Sequence, residues 1–216
     1  MPNATCRCTK EGLALDDHSG DSGPRVTRPG GRSARVRAAV LAATLEELAL
    51  RGYEGLSFEA VATRAGVHKT TVYRRWPERP ALVLDALLEL SERTVPLPDS
   101  GSLHGDLLVL ARAIAANLCS PEVAAVLRAL IAARREPAIA AAVDRYWRTR
   151  FDLVAQVVRR GIARGELPAD ASSDMLIEAL IGPLYLRALV TGEVLDEAFV
   201  AGVVEVVLAG VRGAHA

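Results

Sequence analysis

The sequence predicts an all-α fold in two helical domains, and three observations lead to this prediction. Hydrophobic residues make up 50% of the 216 residues but aromatic ones only 4%, so alanine, leucine and valine must form the core. Strong helix formers, mainly Ala, Leu, Arg and Glu, recur in long windows along the chain. None of these windows shows the strict alternation of apolar and polar residues that indicates a half-buried strand.

Hydrophobic periodicity and end signals place the individual helices. The first is predicted over residues 33–51 and ends at Gly52, because glycine favours the left-handed position after a helix. Glu46 and Glu47 within it are interpreted as solvated, since neighbours in a helix do not face each other. Two short helices follow between residues 57 and 79. Further helices are predicted over residues 80–93, 103–118, 122–134, 138–164, 173–191 and 197–211.

A linker divides the chain into domains. Residues 94–102 contain two prolines and a glycine, which are typical of a break between helical units. We therefore predict a disordered tail over residues 1–31, a first helical domain over residues 32–92 and a second over residues 93–216. The end of the tail is basic, so Arg32 and its neighbours either lead into the first helix as solvated residues or form an arm that contacts DNA.

The stretch from Ser57 to Arg79 has the pattern of two short helices joined by a tight turn. Ser57 is a suitable N-cap for the first of them, and Gly66 supplies the unusual backbone that a sharp turn between helices needs. Val67 fills the angle between the two helices. The first helix has one apolar face, formed by Phe58, Val61, Ala62 and Ala65.

The second short helix, residues 68–76, presents donors on its outward side. Val72 and Trp76 are four residues apart and face inward, and no carboxylate lies between them. Such a face suits the major groove of DNA, where cations pair with phosphates and Arg or Lys reads guanine. The alternative is an ordinary solvated basic face. The outward residues are Lys69, Thr70, Tyr73, Arg74 and Arg75.

The charge distribution agrees with a nucleic-acid surface in this region. The formal net charge is zero, which by itself argues against nucleic acid. Residues 24–80, however, hold 11 Lys and Arg against 5 Asp and Glu, and the rest of the chain holds 15 against 21. The basic surface is therefore concentrated around the two-helix motif.

The segment VHKTTVYRRWPERPALV resembles the recognition-helix signature of the TetR family of transcriptional regulators. The matching positions are Thr71, Val72, Tyr73, Trp76, Pro77 and Arg79. Arg79 stands where the family usually has Lys, which keeps the charge. His68 stands where a small capping Ser is common, which puts the capping of this helix in doubt. The resemblance covers residues 32–92 well and the remainder loosely.

This resemblance implies an amino-terminal helix-turn-helix DNA-binding domain and a carboxy-terminal domain that binds a small-molecule effector and dimerises. The implied function is a regulator, usually a repressor, that binds a palindromic operator as a dimer and is released by the effector. The alternative is an architectural or helical interaction protein whose second domain only dimerises. We expect DNA contacts from Arg32, Ser57, Lys69, Thr70, Thr71, Tyr73, Arg74, Arg75 and Arg79.

Two features predict functions for the second domain. An aromatic cluster around Trp147 and a bend at Pro183 indicate either ordinary core packing or a cavity between helices that binds the effector. The expected effector-binding residues are Asn117, Arg128, Trp147, Phe151 and Tyr185. The last two helices are apolar over much of their circumference, Val203 and Val207 included, so we expect them to pair with their symmetry copies.

Other functional classes find no support in the sequence. It holds no G-x-S-x-G nucleophile motif and no glycine-rich phosphate loop, so neither catalysis nor a cofactor is expected. Cys6 and Cys8 lack a nearby histidine and are weak evidence for a metal site. There is no secretory signal and no run of 18 apolar residues, which predicts a cytoplasmic protein.

Overall fold

The computed structural model describes residues 31–213, and this part of the chain is helical, without strands, as predicted. The predicted tail, with Cys6 and Cys8, lies outside the described residues apart from Gly31. None of the described helices is by itself long and apolar enough to span a membrane; the helices Leu103–Leu118 and Pro121–Ala133, with a bend of 84° between them, meet that length and composition only as a pair. The helices are α1 (Gly31–Arg51), α2 (Phe58–Ala65), α3 (Lys69–Arg75), α4 (Arg79–Thr94), α5 (Leu103–Leu118), α6 (Pro121–Ala133), α7 (Pro137–Ala163), α8 (Ser173–Tyr185) and α9 (Glu197–Gly213).

Polar caps and glycines set where the helices begin and end. Gly52 lies in the left-handed region at φ 69°, as predicted for the end of α1. Ser57 Oγ accepts the Ala60 N–H at 3.1 Å and caps α2, which confirms the predicted N-cap. Asp196 Oδ1 accepts the Phe199 N–H at 2.8 Å at the start of α9. Serines cap three more helices in the same way, namely Ser102 on α5, Ser120 on α6 and Ser172 on α8.

Two hydrophobic cores hold the helices together. The first is formed by α1 to α4 and continues into α6 and the first half of α7, where Leu130 and Ile139 are buried with Leu82 of α4. The second is formed by α5, the second half of α7, α8 and α9. Helices α1 and α4 therefore pack directly on the carboxy-terminal half of the chain. The first core therefore joins the amino-terminal helices to part of the carboxy-terminal half.

Glu47 corrects one prediction from the sequence. It was interpreted as solvated together with Glu46, but its side chain is only 2% exposed. Arg64 of α2 donates from Nε to Glu47 Oε1 at 2.7 Å, and Arg51 Nε lies 3.0 Å from Glu47 Oε2. Arg64 also donates to the exposed Glu46 at 2.9 Å. Periodicity along α1 could not reveal this, because one of the two cations that compensate the buried carboxylate, Arg64, comes from another helix.

The helix predicted over residues 173–191 has two parts. Pro183 lies inside α8, which continues to Tyr185 and is followed by a π-helical segment, Leu186–Thr191. Proline has no N–H to donate to the carbonyl four residues earlier, so the regular α-helical ladder is interrupted near this position. Gly192, at φ 70°, then closes the segment through its N–H, which donates to the Arg187 carbonyl at 2.8 Å.

Candidate nucleic-acid interface and ligand cavity

A glycine turn joins α2 to α3, and a hydrogen bond connects the end of α3 to α4. Gly66 adopts the left-handed conformation at φ 65°, and its N–H donates to the Thr63 carbonyl at 3.2 Å. Val72 is fully buried and Trp76 is 3% exposed, so both face inward as predicted. The indole Nε1 of Trp76 donates to Asp85 Oδ2 at 3.0 Å. Asp85 lies on α4, so this bond links α3 to α4.

The opposite side of α3 is open to solvent. All five residues predicted on the outward face are exposed, namely Lys69, Thr70, Tyr73, Arg74 and Arg75, and Thr71 is half-buried. The ring of Tyr73 lies edge-on against Phe58 of α2, with centroids 4.5 Å apart. This contact limits the positions that the phenol can take. The side chain of His68 caps nothing at the start of α3, in agreement with the doubt raised by the sequence.

Lys69 is engaged by a neighbouring helix. Its Nζ forms an ion pair with Glu59 of α2 and lies 5.3 Å from the centroid of the Tyr73 ring. The hydrogen bond to Glu59 raises the pKa of Lys69, and the same bond lowers the pKa of Glu59. Lys69 is therefore charged at neutral pH, and any contact with DNA must replace this exposed ion pair.

Arg79 and Ser57 have structural roles besides the predicted phosphate contacts. The Arg79 guanidinium donates to three backbone carbonyls of the loop between α1 and α2, those of Tyr53, Glu54 and Leu56, at 3.2 to 3.4 Å. It also stacks over the Tyr53 ring at 4.9 Å. Ser57 is occupied as the cap of α2. No pattern in the sequence indicates the Arg79 bonds, because their acceptors are backbone atoms about 25 residues earlier.

A basic cleft lies between the start of α1 and α3. Its volume is about 530 Å³, and Arg32, Thr71, Arg74 and Arg75 line it. Among residues 31–213, none of its three exposed cations, Arg32, Arg74 and Arg75, forms an ion pair with a carboxylate. Arg37 also lines the cleft, but it pairs with Glu89 on α4. The structure thus brings Arg32 next to the predicted recognition helix, with unpaired cations that suit phosphate oxygens.

A cavity of about 70 Å³ lies in the carboxy-terminal half, between α4, α5, α6, α7 and α8. Four of the five residues predicted to bind an effector lie in its wall: Asn117, Trp147, Phe151 and Tyr185. The fifth, Arg128, is exposed on α6 and is not part of the wall, because its position on the helix faces solvent. The rest of the wall is mainly apolar, with Leu110, Ile114, Leu118, Val126, Val154 and Ile177 among its residues.

The effector-binding residues expected from the sequence omit three polar residues of this wall, Ser91, Tyr146 and Arg150. The Tyr146 and Ser91 hydroxyls share a hydrogen bond of 2.7 Å, and Arg150 Nη2 donates to the Val95 carbonyl at 3.1 Å. Helical spacing offered a signal for Arg150, since it follows Trp147 by three residues and so lies on the same side of α7.

Hydrogen bonds connect the cavity wall to the end of α4. Besides the bonds of Tyr146 and Arg150, Asn117 Nδ2 donates to Thr94 Oγ1 at 2.8 Å. Thr94 is the last residue of α4, and Ser91 lies one turn before it. Burial raises the pKa of Tyr146, although the hydrogen bond with Ser91 and the charge of Arg150 oppose this shift. Tyr146 is therefore protonated at neutral pH and can donate its hydrogen bond.

Comparison with known proteins places the chain among regulators. Residues 40–86 match the family model for bacterial regulatory proteins of the tetR family, and residues 97–207 match the tetracyclin repressor-like C-terminal domain. The HTH-type transcriptional regulator AqdR of Rhodococcus erythropolis is 32% identical, over 72% of this chain and 75% of its own. The DNA-binding transcriptional repressor TetR of Mycobacteroides abscessus is 29% identical, over 79% of this chain and 90% of its own. The crystal structure of the TetR family transcription regulator SCO0332 has a TM-score of 0.69 and 36% identity, and the match covers 82% of this chain and 98% of that one.

The helical fold and its exposed α2–α3 unit define a helix-turn-helix transcriptional regulator. More specifically, the chain belongs to the TetR family of bacterial regulators. It is therefore a DNA-binding protein rather than an enzyme. Regulators of this family bind DNA as dimers and often bind small-molecule ligands.

Proposed function

We propose that the chain is a repressor that binds a palindromic operator as a dimer and leaves it when a small molecule fills the cavity. The observation that carries this proposal is the set of three hydrogen bonds between the cavity wall and the end of α4. The same helix holds α3 in place through Asp85 and Trp76. One of the relatives, from Mycobacteroides abscessus, is named a repressor, which supports this direction of control.

The DNA in this proposal lies against the exposed face of α3. Long cations and hydroxyls on that face reach base edges in the major groove, and the surrounding donors hold phosphates. The base-reading residues are Lys69, Thr70 and Arg75. The phosphate-binding residues are Thr71, Tyr73 and Arg79, with Ser57 beside them and with Arg32 and Arg74 from the basic cleft.

The dimer in this proposal forms through α8 and α9. A groove of about 730 Å³ runs between these helices, and its wall is almost entirely apolar. Met175 is 72% exposed and Val206 is 73% exposed at this groove, an arrangement that a single chain leaves open to water. Val203 and Val207, expected in the interface from the sequence, are instead mostly covered by their own chain. The exposed residues are thus the better markers of an interface.

Release by a ligand requires that the ligand bind one geometry of the dimer better than the other. Equal affinity for both geometries would shift nothing, however tightly the ligand binds. The cavity is suited to such a difference, because Leu87, Leu90, Ser91 and Val95 of its wall belong to α4 or follow it directly. A ligand that displaces these residues moves α4, and with it α3. The separation of the two recognition helices in the dimer then changes.

Selection of binding sites from random DNA tests the proposal. A dimeric repressor should select one palindrome whose half-sites are about 34–36 Å apart, or near that spacing. Footprinting on the selected site should then protect a single region. Broad coating of DNA without a selected palindrome would support the architectural alternative and contradict the proposal.

A further inference from the structure

The cavity wall holds an uncompensated cation. Arg150 is the only charged residue among those that line it. Within residues 31–213, no carboxylate forms an ion pair with Arg150, and its hydrogen bond to the Val95 carbonyl occupies one of five N–H donors. A guanidinium beside apolar surface is favoured when an anion pairs with it. The site therefore suits a ligand that brings an acceptor with negative charge.

Two neutral donors lie in the same wall. Neither the Tyr185 hydroxyl nor the Trp147 indole N–H has a hydrogen-bond partner in the described part of the chain. Burial raises the pKa of Tyr185; the nearby Tyr146 raises it further, and the charge of Arg150 lowers it. The phenol therefore remains protonated. Arg150 and both neutral groups thus offer donors, while no carboxylate competes for them. A ligand with acceptor oxygens would satisfy several of these groups at once.

The aromatic residues define the shape of the space. The Trp147 ring lies edge-on to three others, with centroid distances of 5.3 Å to Tyr146, 5.9 Å to Phe151 and 5.6 Å to Tyr185. Trp147 also borders a second cavity of about 110 Å³, beside the first one of about 70 Å³. Neither reaches the roughly 150 Å³ of a protein cavity that binds benzene. A flat ring fits if Trp147 moves and the two spaces join.

We propose that the effector is a small aromatic acid whose anionic group pairs with Arg150 and whose ring lies against Trp147 and Phe151. This inference rests on the proposed function, because it takes the cavity as the effector site. The acid pairs with guanidinium donors that the Val95 carbonyl, directly after α4, leaves free. Its charge therefore acts on one of the three bonds between the wall and the end of α4. An uncharged ligand of the same shape does not.

Calorimetric titration of the full chain with matched acid and amide probes tests this assignment. Suitable pairs are phenylacetate with phenylacetamide and 1-naphthoate with 1-naphthamide, which differ in charge at nearly constant shape. We expect each acid to bind at least about tenfold more tightly than its amide, since a charge-assisted bond is stronger than a neutral one. Arg150→Gln should abolish this preference, and Arg150→Lys should keep part of it. The matched control is Arg148→Gln, an exposed arginine on the same helix, which should change nothing.

The outcomes separate this inference from the proposed function. Equal binding of acid and amide, a preference that survives in a folded Arg150→Gln variant, or no binding by any probe at millimolar concentration would overturn the ligand class. Thermal melting of each variant shows that it is folded. Operator binding is measured in parallel with the same probes. Acids that bind through Arg150 but leave operator affinity unchanged would support the ligand class and contradict release. An amide that binds the cavity and releases the operator would support release and contradict the ligand class.

Discussion

At the scale of single residues, the cations proposed to contact DNA differ in the partners that they already have within the chain. Lys69 pairs with Glu59, whereas Arg74 is exposed without a carboxylate partner among the described residues. Arg79 holds three loop carbonyls and is the least suitable for a clean test, because its removal would also loosen the loop. Lys69 and Arg74 therefore form the better pair for separating base readout from phosphate contact.

We expect Lys69→Ala and Arg74→Ala to weaken operator binding in different ways. A base-reading lysine contributes roughly 1–3 kcal/mol of discrimination, while the loss of a phosphate contact weakens binding to all sequences alike and reduces the salt dependence. Lys69→Ala should lower affinity for the operator more than for random DNA, and Arg74→Ala should lower both alike. Titrations by fluorescence anisotropy at several salt concentrations measure this. If Lys69→Ala weakens both DNAs equally, Lys69 does not read bases.

The buried carboxylate of α1 leads to a prediction about stability. Glu47→Gln should lower the free energy of unfolding by roughly 1–3 kcal/mol, because two arginines lose their shared partner but remain partly solvated. Glu46→Gln is the matched control, since this neighbour is exposed and its pair with Arg64 contributes only about 0–1 kcal/mol. Urea unfolding measures both variants. Equal stability of the two would show that Glu47 does not brace α1 against α2.

At the scale of helices, periodicity and caps were sufficient to predict nearly every element. The predicted helix over residues 103–118 coincides with α5, and most other ends differ by one or two residues. The π-helical segment Leu186–Thr191 was not predictable, because it keeps the apolar pattern of a regular helix. The same limit applies to the cavity. Its aromatic residues stood out in the sequence, but the bonds of Arg150 and Tyr146 depend on which helices pack together.

The faces of α8 and α9 give a prediction about assembly. Val206→Glu places a charge on an exposed apolar face, so the chain should fold but become a monomer in light scattering. Its operator affinity should fall at least about tenfold, because one half-site is lost. Ile131→Glu is the control, since Ile131 is 61% exposed on α6, away from this groove. A Val206→Glu protein that remains dimeric would place the interface elsewhere.

At the scale of the whole molecule, the linker does not separate the two cores, because the first core contains residues from both sides of it. The predicted boundary near residue 93 marks a break in the chain, but α6 and the start of α7 pack with α1 and α4 in one core. Trp147 lies at the edge of this core and also in the cavity wall. The sequence could not show this, since it reveals breaks along the chain and not which side chains meet across them. Helix α4 thus contacts both the cavity and the end of α3.

The most direct test of this account measures the operator affinity of the full chain while an aromatic acid fills the cavity. Calorimetry first establishes the concentration at which 1-naphthoate, or another acid of the panel, saturates the protein. Anisotropy with labelled operator should then show affinity falling as the cavity fills, by the ratio of the ligand affinities of the two states. Arg150→Gln should require more ligand for the same fall, measured against the operator affinity of the same variant without ligand. Unchanged operator affinity at full occupancy of the cavity would contradict the account.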